Sequence, residues 1–275
     1  MLEPSSEQNP QATAPALTVE QAIANLKHED LSLRYYAAWW LGKFRVSDPA
    51  AVSALIAALE DQADRTELGG YPLRRNAARA LGKIGDMRAV PALIGCLDCE
   101  DFYVREAGAQ SLGMLGDKTC IPVLLEMLAG GVAAAIFVPG RPHLAQPLQA
   151  AMEALGALSA TEATSLIQPF LQHPIPRVQY AAARAMYSLT QEAVYGERLV
   201  QALESQDVNL RRGAMGDLGA IGYLPAAEAI ASAAVENSFK LIALKGLLSH
   251  QLNRAQPPEL SEGAIRVIAL MDALL

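Results

Sequence analysis

Hydrophobic and polar positions recur along the chain in one frame: an arginine, small residues at +3 and +4, an apolar residue at +7 and glycine at +8. Arg34–Gly42 (RYYAAWWLG), Arg74–Gly82 (RRNAARALG) and Arg105–Gly113 (REAGAQSLG) fit it, and Arg211–Gly219 (RRGAMGDLG) keeps the frame with Met215 at +4. Weaker copies begin at Leu148, Gln179 and Lys240. The anchors 34, 74, 105, 148, 179, 211 and 240 are spaced by 40, 31, 43, 31, 32 and 29 residues, which marks an internal repeat. The +3/+4/+7 spacing puts the small and apolar residues on one stripe of a helix, where a neighbouring helix can approach closely.

Each unit then predicts a second helix. A further glycine ends the first one, as in Gly85-Asp86 and Gly116-Asp117. Proline stands near the start of the next, at Pro49, Pro91, Pro122 and Pro225, and apolar positions run as in Val90, Leu93, Ile94 and Leu97. An acid four residues before the anchor (Asp30, Asp101, Asp207 or Glu236) suits the first helix's N-terminus, as a cap or against its dipole. Two helices in about 31 residues cannot bury their faces alone, so the units must stack. The expected fold is all-α, an α-solenoid of HEAT-like helical-hairpin repeats over 18–250, preceded by a polar tail (1–17) and followed by a capping or docking helix (251–275) after Pro257-Pro258.

The two long spacings reflect extra chain at Asp61–Tyr71 (DQADRTELGGY) and Gly130–Pro147 (GGVAAAIFVPGRPHLAQP). Both fall between one unit's second helix and the next unit's first, so both should emerge on the same edge, where insertions in solenoids often build a binding site. Two tolerated surface loops are the alternative.

Composition narrows the classes. Hydrophobic residues make up 52% of the chain, charged residues 19% and aromatics 5%; this excludes disorder, and the weight of alanine and leucine favours helix. The net charge of −7 argues against a general nucleic-acid binder. The most apolar run, Val132 to Val138, is closed by Pro139 and is well short of a membrane span of roughly 20 residues, so a soluble protein is expected. Three cysteines, Cys96, Cys99 and Cys120, suit a reducing cytosol.

No self-contained catalytic motif is present. Cys96 and Cys99 have metal-ligand spacing but no second pair follows, so core or idle thiols are the better reading and no metal is expected. Gly82-Lys-Ile-Gly85 is a helix ending rather than a phosphate loop. Tyr35, Tyr36, Trp39, Trp40 and Phe44 share one helix with Arg34, Lys43 and Arg45. There Tyr35/Trp39 can face the core while Tyr36/Trp40 turns outward, either capping the stack or offering an aromatic patch to a partner. Arg105 and Arg211, at anchor positions, are expected to pair with an aspartate of an adjacent unit. Arg75, Arg141 and Arg177 are off the anchor and freer to meet an anionic ligand.

The segments RYYAAWWLGKFR, GGYPLRRNAARALGK, EDFYVREAGAQSLG, GGVAAAIFVPGRPHLAQP, PRVQYAAARAMYSLT and LRRGAMGDLGAIGYLPAAEAIA together resemble the E subunit of the E/F-type phycobilin lyases, over roughly Thr18 to Leu248. The resemblance implies repeats of the PBS lyase type, a heterodimer with an F-type subunit, and thioether attachment of phycocyanobilin to a cysteine of the phycocyanin alpha subunit. It also implies work in the cytoplasm of a cyanobacterium, or a plastid stroma, beside the photosynthetic antenna. The bilin is then substrate and no cofactor is needed; the nucleophile is the acceptor's own thiol. Arginines would pair with the propionates and aromatics stack on the pyrrole rings. On that basis Tyr71, Arg75, Tyr103, Arg141 and His143 are candidates to bind the bilin, Tyr36 and Trp40 to bind the partner, and Glu106 and Asp101 for acid–base work, Asp101 also being placed to cap a helix. A non-catalytic HEAT-repeat scaffold or chaperone that binds phycobiliproteins or assists bilin removal is the competing reading; it needs neither the aromatic helix nor the insertions.

Overall fold

A computed structural model describes residues 17–254 and 260–275. The expected polar tail, Leu17 apart, and Pro257-Pro258 lie outside those residues. In chain order the helices are α1 (Val19–Asn25), α2 (Leu31–Lys43), α3 (Pro49–Ala58), α4 (Pro72–Ile84), α5 (Val90–Gly95), α6 (Phe102–Leu115), α7 (Ile121–Leu128) and α8 (Leu148–Ala157). They continue as α9 (Thr164–Ile167), α10 (Pro176–Thr190), α11 (Ala193–Ala202), α12 (Val208–Ile221), α13 (Ala227–Ser232), α14 (Asn237–Arg254) and α15 (Glu262–Asp272). All seven anchors fall on even-numbered helices from α2 to α14, each packed on the next. The odd-numbered helices touch one another far less. The closely packed even layer is therefore the inner, shorter arc of the solenoid.

The small-residue stripe explains that closeness. Ala37, Ala38 and Leu41 of α2 and Ala77, Ala78 and Leu81 of α4 are fully buried. A Cβ at Gly42 would lie 2.7 Å from the Ala80 Cα, and one at Gly113 would lie 2.9 Å from the Ala154 Cα. Gly85 ends α4 at φ +84°, a left-handed conformation that glycine adopts without steric penalty.

Three of the four expected acids cap their helices. Asp30, Asp101 and Asp207 accept the amides of Ser32, Tyr103 and Asn209, each at 2.8 Å. Glu236 differs: its carboxylate pairs with Arg212 of the preceding unit. Arg105 and Arg211 also depart from expectation, whereas the anchor Arg34 does pair with an aspartate, Asp61, at 2.8 Å. Arg105 donates to the carbonyls of Cys99 (2.6 Å) and Glu100 (3.1 Å), and Arg211 to those of Ser205 (2.6 Å) and Gln206 (3.2 Å). Carbonyls where the chain leaves the preceding helical turn lack intrahelical partners, and a guanidinium fork can meet two at once.

The boundary expected at 250/251 falls inside α14. α15 buries Ala264 and Val267 and packs on α13 and α14, so it is the second helix of the last pair, with Ile265, Ala269 and Asp272 facing outward. Among the described residues no helix is long and apolar enough to cross a membrane.

Candidate ligand-binding site

The first insertion is a folded loop. Thr66 donates its amide to the Gly70 carbonyl (2.8 Å) and accepts the Gly70 amide on its hydroxyl (2.9 Å), and the buried Asp64 carboxylate accepts the Leu73 amide. Tyr71 ends the loop. Its ring lies under Arg74, 4.1 Å from guanidinium to centroid, and its hydroxyl donates to Glu100 at 2.8 Å.

The second insertion is a short hairpin. Phe137 and Leu144 form an antiparallel bridge, with Val138 donating to the His143 carbonyl and Ala145 to that of Ile136, both at 3.0 Å. Arg105 of α6 clamps its base by donating to the Ala145 carbonyl at 2.8 Å. The His143 ring stacks on Phe102 at 4.2 Å and 12°, and meets Tyr103 edge-on at 5.5 Å.

As expected, both insertions leave by one edge, and they meet over the starts of α4 and α6. Between them lies a cavity of about 440 Å³ lined by Tyr71, Arg75, Asp101, Tyr103, Arg141 and His143, so the structure brings together all five expected bilin contacts and one of the two carboxylates. Their states differ. Tyr71 is buried as a strut. Asp101 uses one oxygen to cap α6 and the other to accept the Tyr71 amide at 2.7 Å, so its carboxylate clamps the first insertion to α6. The Arg75 guanidinium lies 5.8 Å from the Tyr103 centroid, and its buried Nε has no hydrogen-bond partner among the described residues. An unpaired buried donor is costly. The Arg105 Nε is in the same state although the rest of that guanidinium clamps three carbonyls, whereas the Arg75 guanidinium makes no hydrogen bond among the described residues.

Glu106 lies next door. It lines an adjoining cavity of about 490 Å³, with Arg177, that shares Phe102, Tyr103 and His143 with the first. A first-turn glutamate is ordinarily solvated, but this one is half-buried, 3.8 Å from Arg79. Burial raises its carboxyl above the usual 4.5, with Arg79 opposing.

Tyr36 and Trp40 are elsewhere, on α2. Tyr36 is exposed, as expected, but its outward companion is Trp39, with ring centroids 5.5 Å apart. Trp40 packs against the core and against Phe44 at 5.0 Å. Helix geometry gives the reason: with Ala37, Ala38 and Leu41 inward, positions 36 and 39 lie opposite the core and 40 lies at its flank. Tyr35, expected inward, is exposed.

Sequence reasoning missed Phe102, the flat partner of His143, and a cluster of Glu153, Arg184 and Asp217 on the inner layer. Lining up the repeats offers a partial signal, since Arg79, Glu153 and Arg184 all stand five residues past their anchors. Two of the three cysteines, Cys96 and Cys120, are buried and poor nucleophiles. Burial pushes the Cys96 thiol up to about 12 and raises that of Cys120.

Residues 71–135 match the family of HEAT repeats and residues 33–61 the PBS lyase HEAT-like repeat. The chain is 68% identical to the phycocyanobilin lyase subunit alpha of Nostoc sp. strain PCC 7120 over 100% of both chains. Its identity to the protein of that name in Thermosynechococcus vestitus is 68%, over 88% of this chain and 90% of that one. The solved complex of CpcE and CpcF of phycocyanin lyase from Nostoc sp. PCC7120 contains a chain 69% identical, matched over 99% of this chain and 100% of that one with a TM-score of 0.88. This chain belongs to the phycocyanobilin lyase alpha-subunit family.

Proposed function

We propose that this chain is one subunit of a heterodimeric lyase that joins phycocyanobilin, by a thioether bond, to a cysteine of the phycocyanin alpha subunit, and that an F-type subunit completes it. The observation that carries the reading is the unpaired Arg75, set beside Arg141 in an aromatic-walled cavity, in a chain 68% identical over its whole length to a protein named for this activity. Two guanidiniums and a stacked His143–Phe102 pair suit a flat tetrapyrrole with two propionates.

The chemistry needs positioning and proton movement. The acceptor's S–H adds across the ethylidene double bond of the bilin A ring: the S–H bond and the C=C π bond break, C–S and C–H bonds form, and nothing is oxidised. Arg75, Arg141 and the aromatic wall hold the bilin. Glu106, with its raised carboxyl, exchanges the proton between sulfur and ring carbon. Asp101 is a positioning residue that fixes Tyr71 and Tyr103. On α2 the exposed Tyr36 and Trp39 offer an aromatic surface to the F-type subunit. On this reading the chain works in the cytoplasm or stroma, where phycocyanin is assembled.

The test removes every thiol of this chain (Cys96→Ala, Cys99→Ser, Cys120→Ala). Mixed with its F-type partner, apo-phycocyanin alpha and phycocyanobilin, the thiol-free chain should still give covalent product, and neither subunit alone should. Product from the isolated chain, or none from the folded thiol-free pair, would contradict the reading.

A further inference from the structure

Neither cavity described so far uses the charges on the inner layer at α8, α10 and α12. There a single nitrogen of Arg184, Nη1, lies 2.9 Å from Asp217 Oδ1 and 3.2 Å from Glu153 Oε2. Each carboxylate keeps its other oxygen without a partner among the described residues. The cluster opens onto a cavity of about 250 Å³ that Arg177, Tyr180 and Asn209 also line. Gln149, Arg177 and Leu210 belong both to this cavity and to the one beside Glu106, which in turn shares a wall with the first. The three form one trough that runs from α4 to α12.

Two carboxylates around one guanidinium leave the cluster itself one negative charge in excess, in a half-buried setting where a surplus carboxylate brings desolvation. The exposed Arg177 on the same cavity wall offsets that charge, and the Glu106 carboxylate of α6 is near enough to Glu153 for the two to repel. α14 packs on the far side of α12 with Ala243 and Gly246, which do not titrate, and Lys245 is exposed. Burial pushes the Asp217 carboxyl up to about 7 and raises that of Glu153, with Arg184 opposing both. A single proton therefore moves the cluster between net −1 and neutral near neutral pH. Free acceptor oxygens and excess negative charge, facing a cavity, call for a ligand that is cationic and rich in N–H donors. Arg177, exposed beside them, has no salt-bridge or hydrogen-bond partner among the described residues and is free to meet an anion.

We propose that Glu153, Arg184 and Asp217 form the subsite for the pyrrole nitrogens of the tetrapyrrole, accepting their N–H bonds and holding them protonated, while Arg177 takes a propionate. The inference rests on the bilin-lyase reading and deepens it. The proton on the ring nitrogens makes the A ring more electrophilic toward the thiol. It is taken from solvent or the cluster and returned on release, so the thioether balance above is unchanged.

The experiment follows the absorption of phycocyanobilin bound to the purified heterodimer as a function of pH. The bound bilin should keep its protonated, long-wavelength band to higher pH than free bilin. The pair Asp217→Asn and Glu153→Gln should lower that midpoint by about one unit or more, the scale of a neighbouring charge, and slow ligation at neutral pH. Arg177→Ala should weaken bilin binding and leave the midpoint in place. Co-elution with the F-type partner shows that each variant assembles; where the double variant does not, Asp217→Asn alone is read. An assembled variant that binds bilin with an unshifted midpoint would overturn the inference and leave the lyase reading intact. A wild-type heterodimer that binds no bilin would overturn both.

Discussion

The Arg141 guanidinium, at the tip of the second insertion, donates to the Leu68 carbonyl of the first at 3.1 Å, across 73 residues of chain. This bond joins two loops into one rim over the cavity. Arg141→Ala removes both the rim contact and a cation from the wall. Charge-assisted hydrogen bonds contribute about 1.5–3 kcal/mol, so bilin affinity should fall about tenfold or more. Arg75→Ala should act in the same direction, and circular dichroism should show unchanged helix in both. Unchanged affinity in both variants would remove these arginines from the site.

Glu106→Gln keeps the shape of the side chain and removes its proton chemistry. The ligation rate should drop by about a hundredfold, within the usual range for a lost general acid–base group, with bilin binding and partner assembly preserved. The sign of the pH effect follows from the raised carboxyl. As a base it acts when ionised, so the wild-type rate should fall as pH drops through a midpoint above 4.5, and the Gln variant should lack that limb. An equal rate and an unaltered profile would leave Glu106 as part of the wall only.

Asp217 should make stability depend on pH. Its folded value, about 7, lies above the ordinary 3.8, so between these values the folded chain holds a proton that the unfolded chain has released. The stability this gives is complete below the unfolded value and is lost as pH rises through the folded one. The difference in Tm between about pH 5 and about pH 8 should therefore be larger in wild type than in Asp217→Asn. Equal differences by calorimetry would show that Asp217 is not perturbed.

Trp39 and Trp40, adjacent in sequence, should respond differently. Trp39→Ala removes an exposed ring and should raise the Kd for the F-type partner by about tenfold or more if it anchors the interface, with little change in Tm. Trp40→Ala opens a gap beside the core and Phe44 and should cost about 2 kcal/mol or more of stability. Partner affinity unaffected by Trp39→Ala would place the interface elsewhere.

The repeats were legible because small and apolar residues recur at fixed offsets, and Gly42 and Gly113 now stand where neighbouring backbones come within 3 Å of an added Cβ. The spacing of 43 residues before Leu148 likewise located the insertion that carries Arg141 and His143, though not its hairpin form. Three things were not legible. The second bond of Asp101, to the Tyr71 amide, depends on how the first insertion folds back. The outward turn of Trp39 required fixing α2's rotation by Ala37, Ala38 and Leu41, which an aromatic i, i+4 pairing ignores. Glu153 and Arg184 stand five residues past their anchors but Asp217 six, so their convergence on Arg184 Nη1 arises from how three helices pack.

The most direct measurement is the intact mass and zinc fluorescence of phycocyanin alpha from cells that co-express it with the F-type partner and a source of phycocyanobilin, with and without this chain. Alpha subunit heavier by one bilin and fluorescent with zinc is expected only when this chain is present. Equal labelling in its absence would contradict the assignment of this chain as a lyase subunit.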